Sequence, residues 1–312
     1  MRNFLAYAAA KYEAGEPIIT DAEFDRLEGI YGYDRVGAAV DVSRAIPHAY
    51  RLYSLQKCFV GGKQIELPSD DIVETPKLDG AAVSLFYIEG RLSLALTRGD
   101  GVAGLDITEK LRTLVPNKLD TLIPVMQVNG EVVAPKTIPN SRNYAAGALN
   151  LKSLEEFKTR ELAFVSYGIL PAYFATYRDD LKLLAGLNFK TIGDCDWDEF
   201  PQDGLVFRVN NNALFEELGF TGKHPRGAYA LKEIQEGVVT TLEHVEWRVG
   251  RSGVVAPRAI IKPVKIGDAT VTYATLHNIA HIRKLNLEIG CSIEIIRSGE
   301  IIPKVIRRVY GD

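Results

Sequence analysis

The chain has 312 residues, 46% apolar and 25% charged, with a net charge of −3; that length holds two or three modest domains, and the composition is that of a soluble globular protein rather than a disordered polymer. No run approaches the roughly 18 apolar residues of a membrane span, and Met1-Arg2-Asn3-Phe4 lacks the apolar core of a signal peptide. Cys58, Cys195 and Cys291 stand alone with no Cys-x-x-Cys pair, which argues against a disulfide scaffold and against zinc and fits a reducing cytoplasm.

In chain order, the first 45 residues read as two helices. One is alanine-rich, from Ala6 to Ala14; the other opens at the capping box Thr20-Asp21-Ala22-Glu23 and runs to about Ile30. Residues 80–98 alternate as a hairpin: Val83, Leu85 and Tyr87 out, Glu89-Gly90 turning, Leu92, Leu94 and Leu96 back. A helix is expected over Asp106 to Leu114, a strand over Val125 to Val133, and a small-residue helix over Asn143 to Lys152. Short buried strands follow at Ala163 to Tyr167 and Leu205 to Val209, and Asn211 caps a helix ending at Leu218-Gly219. After about residue 236 the texture turns to short strands, near 246–249, 254–256, 259–265, 270–274, 292–296 and 301–309, interrupted by a helix at 279–284. Some five strands and one helix in about 75 residues fit a small Greek-key barrel such as an OB-fold. Residues 1–48 carry 5 basic and 8 acidic side chains, and residues 235–312 carry 11 and 8. The basic excess therefore lies in the last segment, where a phosphate backbone docks most easily, although ordinary solvated charge gives an imbalance of the same size.

The chemistry centres on Lys77-Leu78-Asp79-Gly80, followed 21 residues later by Arg98 in Thr97-Arg98-Gly99-Asp100-Gly101. A lysine two residues before Asp-Gly is the signature of enzymes that carry a nucleotide on lysine. A free amine attacks an α-phosphate and forms a P–N bond labile enough to pass AMP onward. The competing reading is a strand that turns at Asp-Gly and leaves a solvated lysine.

Further segments, in order, extend the pattern. They are Asp21-Ala22-Glu23-Phe24-Asp25, Asp106-Ile107-Thr108, Gly130-Glu131-Val132, Ser141-Arg142-Asn143 with Ala145-Ala146-Gly147, Asp203-Gly204-Leu205-Val206 and Leu218-Gly219-Phe220-Thr221. Beyond them come Val249-Gly250-Arg251-Ser252-Gly253, Ala274-Thr275-Leu276-His277-Asn278 and Gly299-Glu300-Ile301-Ile302-Pro303. With these the chain resembles the bacterial-type NAD-dependent DNA ligases in a minimal form. The resemblance implies an α+β protein in three parts: a small helical nicotinamide-binding domain at 1–46, a nucleotidyltransferase (adenylation) domain of antiparallel sheets with helices, ATP-grasp-like, at 47–235, and an OB-fold β-barrel at 236–312.

It also implies roles. Lys77 attacks the α-phosphorus of NAD+, giving lysyl-AMP. Asp79, Asp203 and Lys232 join it in catalysis, the two aspartates facing Mg²⁺ (or Mn²⁺) directly or through water. Ser54, Leu55, Arg98, Glu131, Tyr167, Arg208 and Lys232 surround the adenylate, with Glu131 on the ribose and Tyr167 stacked on adenine, while Tyr12 and Asp21 serve the nicotinamide half. Arg142, Arg251, Ser252, Arg297, Ile301 and Ile302 contact nicked duplex DNA, whose 3′-hydroxyl then expels AMP from the adenylated 5′-phosphate. For Tyr167 and the isoleucines the alternative is plain core.

The pattern also departs from the family. Lys11-Tyr12 stands for the usual Tyr-His pair, Phe24 lacks the usual aromatic hydroxyl, and Thr75 replaces the usual glutamate, with Glu74 displaced by one. Leu105 replaces an acid, Asn150 an arginine, and Arg208 a lysine. The chain stops just past the barrel, where relatives continue into zinc, helix-hairpin-helix and BRCT modules. Three explanations stand: a naturally minimal ligase (a viral one would work in host cytoplasm), a chain served by a second protein subunit, or an excised piece. The rival functions are an adenylating subunit that needs that partner, an ATP-using ligase, and an inactive nick-binding module. None involves a membrane.

Overall fold

The computed structural model describes residues 1–13, 16–31, 45–60, 65–194, 196, 198–232, 237–249, 255–266, 269–298 and 302–310. The chain forms two compact units, Met1–Glu233 and Ile234–Asp312. Among the described residues no helix is long and apolar enough to cross a membrane.

The first unit opens with α1 (Arg2–Glu13) and α2 (Asp21–Tyr31). The capping box forms as the spacing predicts: Thr20 N donates to Glu23 Oε2 at 2.8 Å and Glu23 N to Thr20 Oγ1 at 3.3 Å. After the short β1 (Ile46–Pro47) come β2 (Gln56–Phe59), β3 (Ile72–Leu78), β4 (Ala81–Ile88), β5 (Arg91–Thr97) and β6 (Ala103–Gly104). Glu89 and Gly90 both take positive φ, 48° and 72°, the tight turn that joins two twisted strands. The helix expected from Asp106 shrinks to α3 (Thr108–Leu111), with Asp106 Oδ1 accepting from Thr108 N at 2.8 Å and Pro116 close downstream. Next are β7 (Val125–Val133), α4 (Ser141–Leu149), α5 (Leu154–Lys158), β8 (Ala163–Leu170), α6 (Tyr177–Gly186), β9 (Lys190–Thr191), β10 (Gln202–Val209), α7 (Asn212–Leu218) and β11 (Ala228–Lys232). Asn211 caps α7 by accepting from Leu214 N at 2.9 Å.

Two larger sheets result. One has the order β5-β4-β7-β8-β9, the other β2-β11-β10-β3, each antiparallel except for a parallel edge pair. Their main core gathers Val73, Leu78, Leu85, Met126, Val132, Val165 and Phe200 with α6 residues Leu181 and Leu184. A second core holds the N-terminal helices on β4, β5 and β7: Phe4, Leu5, Tyr7 and Leu27 pack with Phe86, Ile88, Leu94, Leu96 and Val125. Each such fully buried side chain contributes about 1.5–3 kcal/mol before entropy is counted. Buried Gln127 ties that core down with polar bonds, accepting from Tyr50 N at 2.9 Å and donating to Tyr50 O at 2.8 Å.

The second unit is a closed barrel. Its strands are β12 (Val238–Val249), β13 (Val255–Ile266), β14 (Ala269–Thr275), β15 (Ser292–Ser298) and β16 (Ile302–Val309), in the order β12-β13-β14-β16-β15, with α8 (Ile279–Lys284) between β14 and β15. Leu242, Ile261, Val271, Leu276, Ile293, Ile295 and Val305 fill its interior. Two strands expected from the sequence merge into β13. Pro257 separates them in the pattern, yet it pairs with Trp247 of β12 and its carbonyl accepts from Leu276 N at 3.3 Å, just past β14, so its missing N–H falls where that second ladder ends. The α+β class with a terminal five-stranded barrel is as the sequence suggests.

Candidate active site

Lys77 is the penultimate residue of β3, the edge strand of the four-stranded sheet. Side chains at paired positions rise from the same face of a sheet. Thr75 opposes Val206 and Val206 opposes Ala230, so Lys77 on β3 and Lys232 on β11 project from one face. Asp203 joins them from β10. The β10 register shifts between Gln202 and Leu205, and Gly204 sits at φ +143°, where a Cβ would lie 2.2 Å from Leu231 O. Only glycine takes that conformation this close to a neighbouring strand, and the bulge turns Asp203 between the lysines. Lys77 Nζ is 2.8 Å from Asp203 Oδ1, and Lys232 Nζ donates to Asp203 Oδ2. Burial alone pushes the Asp203 carboxyl up, but the two ammoniums outweigh it and hold the group below the usual carboxylate range.

Asp79 and Gly80 turn the chain from β3 into β4. Asp79 N donates to Pro201 O at 2.8 Å, and the Asp79 carboxylate is met by Arg142 Nε, from the first turn of α4, at 3.2 Å. A Cβ on Gly80 would stand 2.3 Å from Val132 O and 3.0 Å from Glu131 Cγ. Glycine thus lets the lysine turn press against the strand that carries Glu131. Half-buried Glu131 is pushed up to about 7, by desolvation first; Lys77, Arg142 and Arg98 pull it back and Asp203 adds to the rise. Lys77, Arg142, Arg98 and Asp203 therefore all lie within electrostatic reach of Glu131.

Arg98 leaves the end of β5 and donates through Nη2 to Ser54 Oγ. Its Nε is buried and, among the described residues, donates to nothing. Such an orphan is costly unless an acceptor arrives, and a phosphate oxygen suits a guanidinium. Leu55 follows Ser54 at half-burial. Tyr167 sits at the β7–β8 register shift, packed on the main core; burial and then Glu131 raise its hydroxyl pKa, and its carbonyl accepts from Tyr177 Oη at 2.7 Å.

Arg208, two residues along β10 from Val206, rises from the same face and is engaged there by other partners. It donates to Val209 O at 3.0 Å and Asn212 Oδ1 at 2.8 Å, with its guanidinium 4.1 Å from the ring centres of both Tyr177 and Phe215. The Lys77–Asp203–Lys232 group is thus brought together with Asp79, Arg142, Arg98 and Glu131, while Arg208 supports the Tyr177–Tyr167 pair. Tyr12 and Asp21 lie on α1 and α2 with backbone alone described. Arg297 and Ile302 lie at the same end of the β15–β16 pair, where Arg297 opposes Pro303 and Ser298 opposes Ile302. Arg251, Ser252 and Ile301 fall outside the described residues. Among the described residues no three His, Cys, Asp or Glu side chains gather as a metal cluster.

Two residues escaped sequence reasoning. Buried His48 bonds Ser84 Oγ through Nδ1 at 2.9 Å and Arg98 O through Nε2 at 3.1 Å, so it holds the turn that presents Arg98. Lys57 on β2 opposes Ala230 of β11 and so shares the face of Lys77 and Lys232. A lone histidine and a surface lysine carry no pattern by which the sequence could single them out.

Comparison with known proteins identifies the family. The family model for the NAD-dependent DNA ligase adenylation domain matches residues 42–199, and the model for the NAD-dependent DNA ligase OB-fold domain matches residues 239–311. A DNA ligase of Marinobacter nauticus is 34% identical over 96% of this chain and 54% of its own length. Those of Cellvibrio japonicus and Psychrobacter cryohalolentis are 34% and 36% identical, over 99% and 74% of this chain and 56% and 40% of theirs. The chain spans about half the length of the curated relatives it matches. With both domain models matched in order, one of them over half its length, this chain belongs to the NAD-dependent DNA ligase family and carries its adenylation and OB-fold domains.

Proposed function

We propose that the chain takes AMP from NAD+ onto Lys77 and uses it to seal 3′-hydroxyl/5′-phosphate nicks in duplex DNA. The observation that carries this is the Lys77–Asp203–Lys232 bridge, together with Arg98 Nε, which is buried and, among the described residues, has no acceptor. Bound NAD+ supplies the adenylyl group: Nζ–P forms at the α-phosphorus as the P–O bond to nicotinamide mononucleotide breaks. The chain's residues prepare that exchange. Attack needs the free amine, so a proton leaves Lys77 Nζ, and Asp203 Oδ1 is the contact through which it leaves. Lys232 and Arg98 face the charge that grows on the phosphate oxygens, Glu131 orients the ribose, and Tyr167 offers its ring to adenine. Ser54 fixes Arg98, and Leu55 borders the same segment.

Asp79 and Asp203 are already paired with cations. A Mg²⁺ (or Mn²⁺) ion that binds with the substrate would be held by Asp79 and Asp203 through water, and would supply charge neutralisation at the phosphate oxygens. Tyr12 and Asp21 are assigned to the nicotinamide end. Arg142 with Arg251, Ser252, Arg297, Ile301 and Ile302 is assigned to the nicked duplex, whose backbone is gripped without regard to sequence. The domain limits 1–46, 47–235 and 236–312 and a cytoplasmic location belong to the same proposal.

The test is purified chain with Mg²⁺, nicked duplex, and adenylate-labelled NAD+ or ATP in parallel. Label on the wild type from NAD+ alone, lost in Lys77→Ala, together with sealed product, is the expected result. Label from ATP alone overturns the NAD+ assignment. Labelling without sealing until a second protein is added shows that the chain is an adenylating subunit.

A further inference from the structure

Lys57 has no part in the roles above, yet the fold brings it to the reacting face. β2 is the parallel edge strand of the four-stranded sheet, with Lys57 opposite Ala230 and Phe59 opposite Lys232. By register, Lys57, Lys77 and Lys232 rise side by side from three of its strands. Lys77 and Lys232 share the Asp203 carboxylate. Lys57 is exposed, and among the described residues its ammonium makes no hydrogen bond or ion pair. Partial desolvation, and after it the charges of Lys232, Lys77 and Arg142, hold its amine below the usual lysine range; Asp203 alone opposes them. An exposed lysine is free to turn away from like charge into water. Lys57, Lys77, Lys232 and Arg142 set against the carboxylates of Asp203 and Asp79 leave positive charge in excess, and such a field is where an anion settles.

We propose that Lys57 binds a substrate phosphate, namely the second phosphate of a pyrophosphate whose first is the phosphate of AMP. This rests on the function proposed above. Two substrates of that function present this chemistry. In the dinucleotide it is the nicotinamide-side phosphate expelled when Lys77 forms its P–N bond. In the adenylated nick it is the 5′-phosphate that accepts the 3′-hydroxyl oxygen as AMP leaves. In each reaction charge moves on oxygens of that phosphate, and an ammonium beside it lowers the barrier without taking a proton.

The full chain is tested as wild type, Lys57→Met, Lys57→Arg and Lys77→Ala, with thermal unfolding confirming that the Lys57 variants fold. One arm follows Lys77 labelling by NAD+ over a range of concentrations. The other follows single-turnover sealing of a synthetic pre-adenylated nick, which does not need transfer from Lys77. Lys57→Met should slow at least one arm by roughly 10- to 100-fold at saturating substrate, with little change in KM, and Lys57→Arg should stay within about threefold of wild type. Loss in labelling alone identifies the dinucleotide phosphate, loss in sealing alone the DNA phosphate, and loss in both a shared position. Lys57→Met running at wild-type rates in both arms overturns the Lys57 assignment while leaving that of Lys77 intact. A wild-type chain that takes no label from NAD+ or ATP overturns both.

Discussion

Replacing Glu131 by glutamine should make the Met1–Glu233 unit more stable above neutral pH. The carboxyl rises from an ordinary 4.5 to about 7 in the folded protein because desolvation outweighs the pull of Lys77, Arg142 and Arg98. Below about pH 4.5 folded and unfolded chains both hold the proton, and glutamate and glutamine are nearly equivalent. Between about 4.5 and 7 the unfolded chain releases its proton while the folded chain keeps it, so wild-type stability falls relative to the variant as pH rises. Above about 7 both states are ionised and the difference levels off. A shift of about 2.5 units at about 1.4 kcal/mol per unit puts the plateau at about 3–4 kcal/mol. Urea unfolding of both proteins at pH 5, 6, 7 and 8, followed by a probe in this unit, reads the difference directly. The variant should gain on wild type across that range while losing grip on the ribose, seen as a raised KM for NAD+. A difference that does not change with pH, or wild type gaining on alkalinisation, would mean that the surrounding cations keep Glu131 ionised well below neutrality and that the desolvation argument is wrong.

Two further substitutions probe the cleft. Gly80→Ala places a methyl 2.3 Å from Val132 O, a backbone atom that cannot step aside. It should cost about 1–3 kcal/mol, a fall of several degrees in thermal midpoint, and suppress Lys77 labelling, and an unchanged midpoint would refute the close approach. Tyr167→Ala should raise KM for NAD+ by roughly 5- to 150-fold through lost base stacking, with Tyr167→Phe near wild type; equal values for all three would place adenine elsewhere.

Signals confined to neighbouring residues were legible. The Thr20–Glu23 box, the Glu89-Gly90 turn, the Asn211 cap and the run over Val125 to Val133 all formed, because their geometry is decided within a few residues. The reading of Lys77 as the end of a strand turning at Asp79-Gly80 also describes the backbone, and it does not compete with catalysis. The strand itself was harder to see. Pro76 interrupts the pattern of β3, and a proline is tolerated in a strand that lies at a sheet edge, which only pairing reveals.

By itself the sequence determined the family, through the ordered segments around Lys77, Arg98, Glu131, Arg142 and Asp203, and it determined that the last segment is a small barrel of short strands, because side-chain type and local periodicity carry that information. Tertiary structure alone decided which charges meet. The sheet β2-β11-β10-β3 joins strands that begin at residues 56, 228, 202 and 72, and its register rests on contacts far apart in the chain. That register puts Asp203 between two lysines, adds Lys57 to their face, and sets Arg208 farther along it against Tyr177 and Phe215. The titration of Glu131 belongs to the same level, since desolvation is a property of everything packed around a group and of no segment alone.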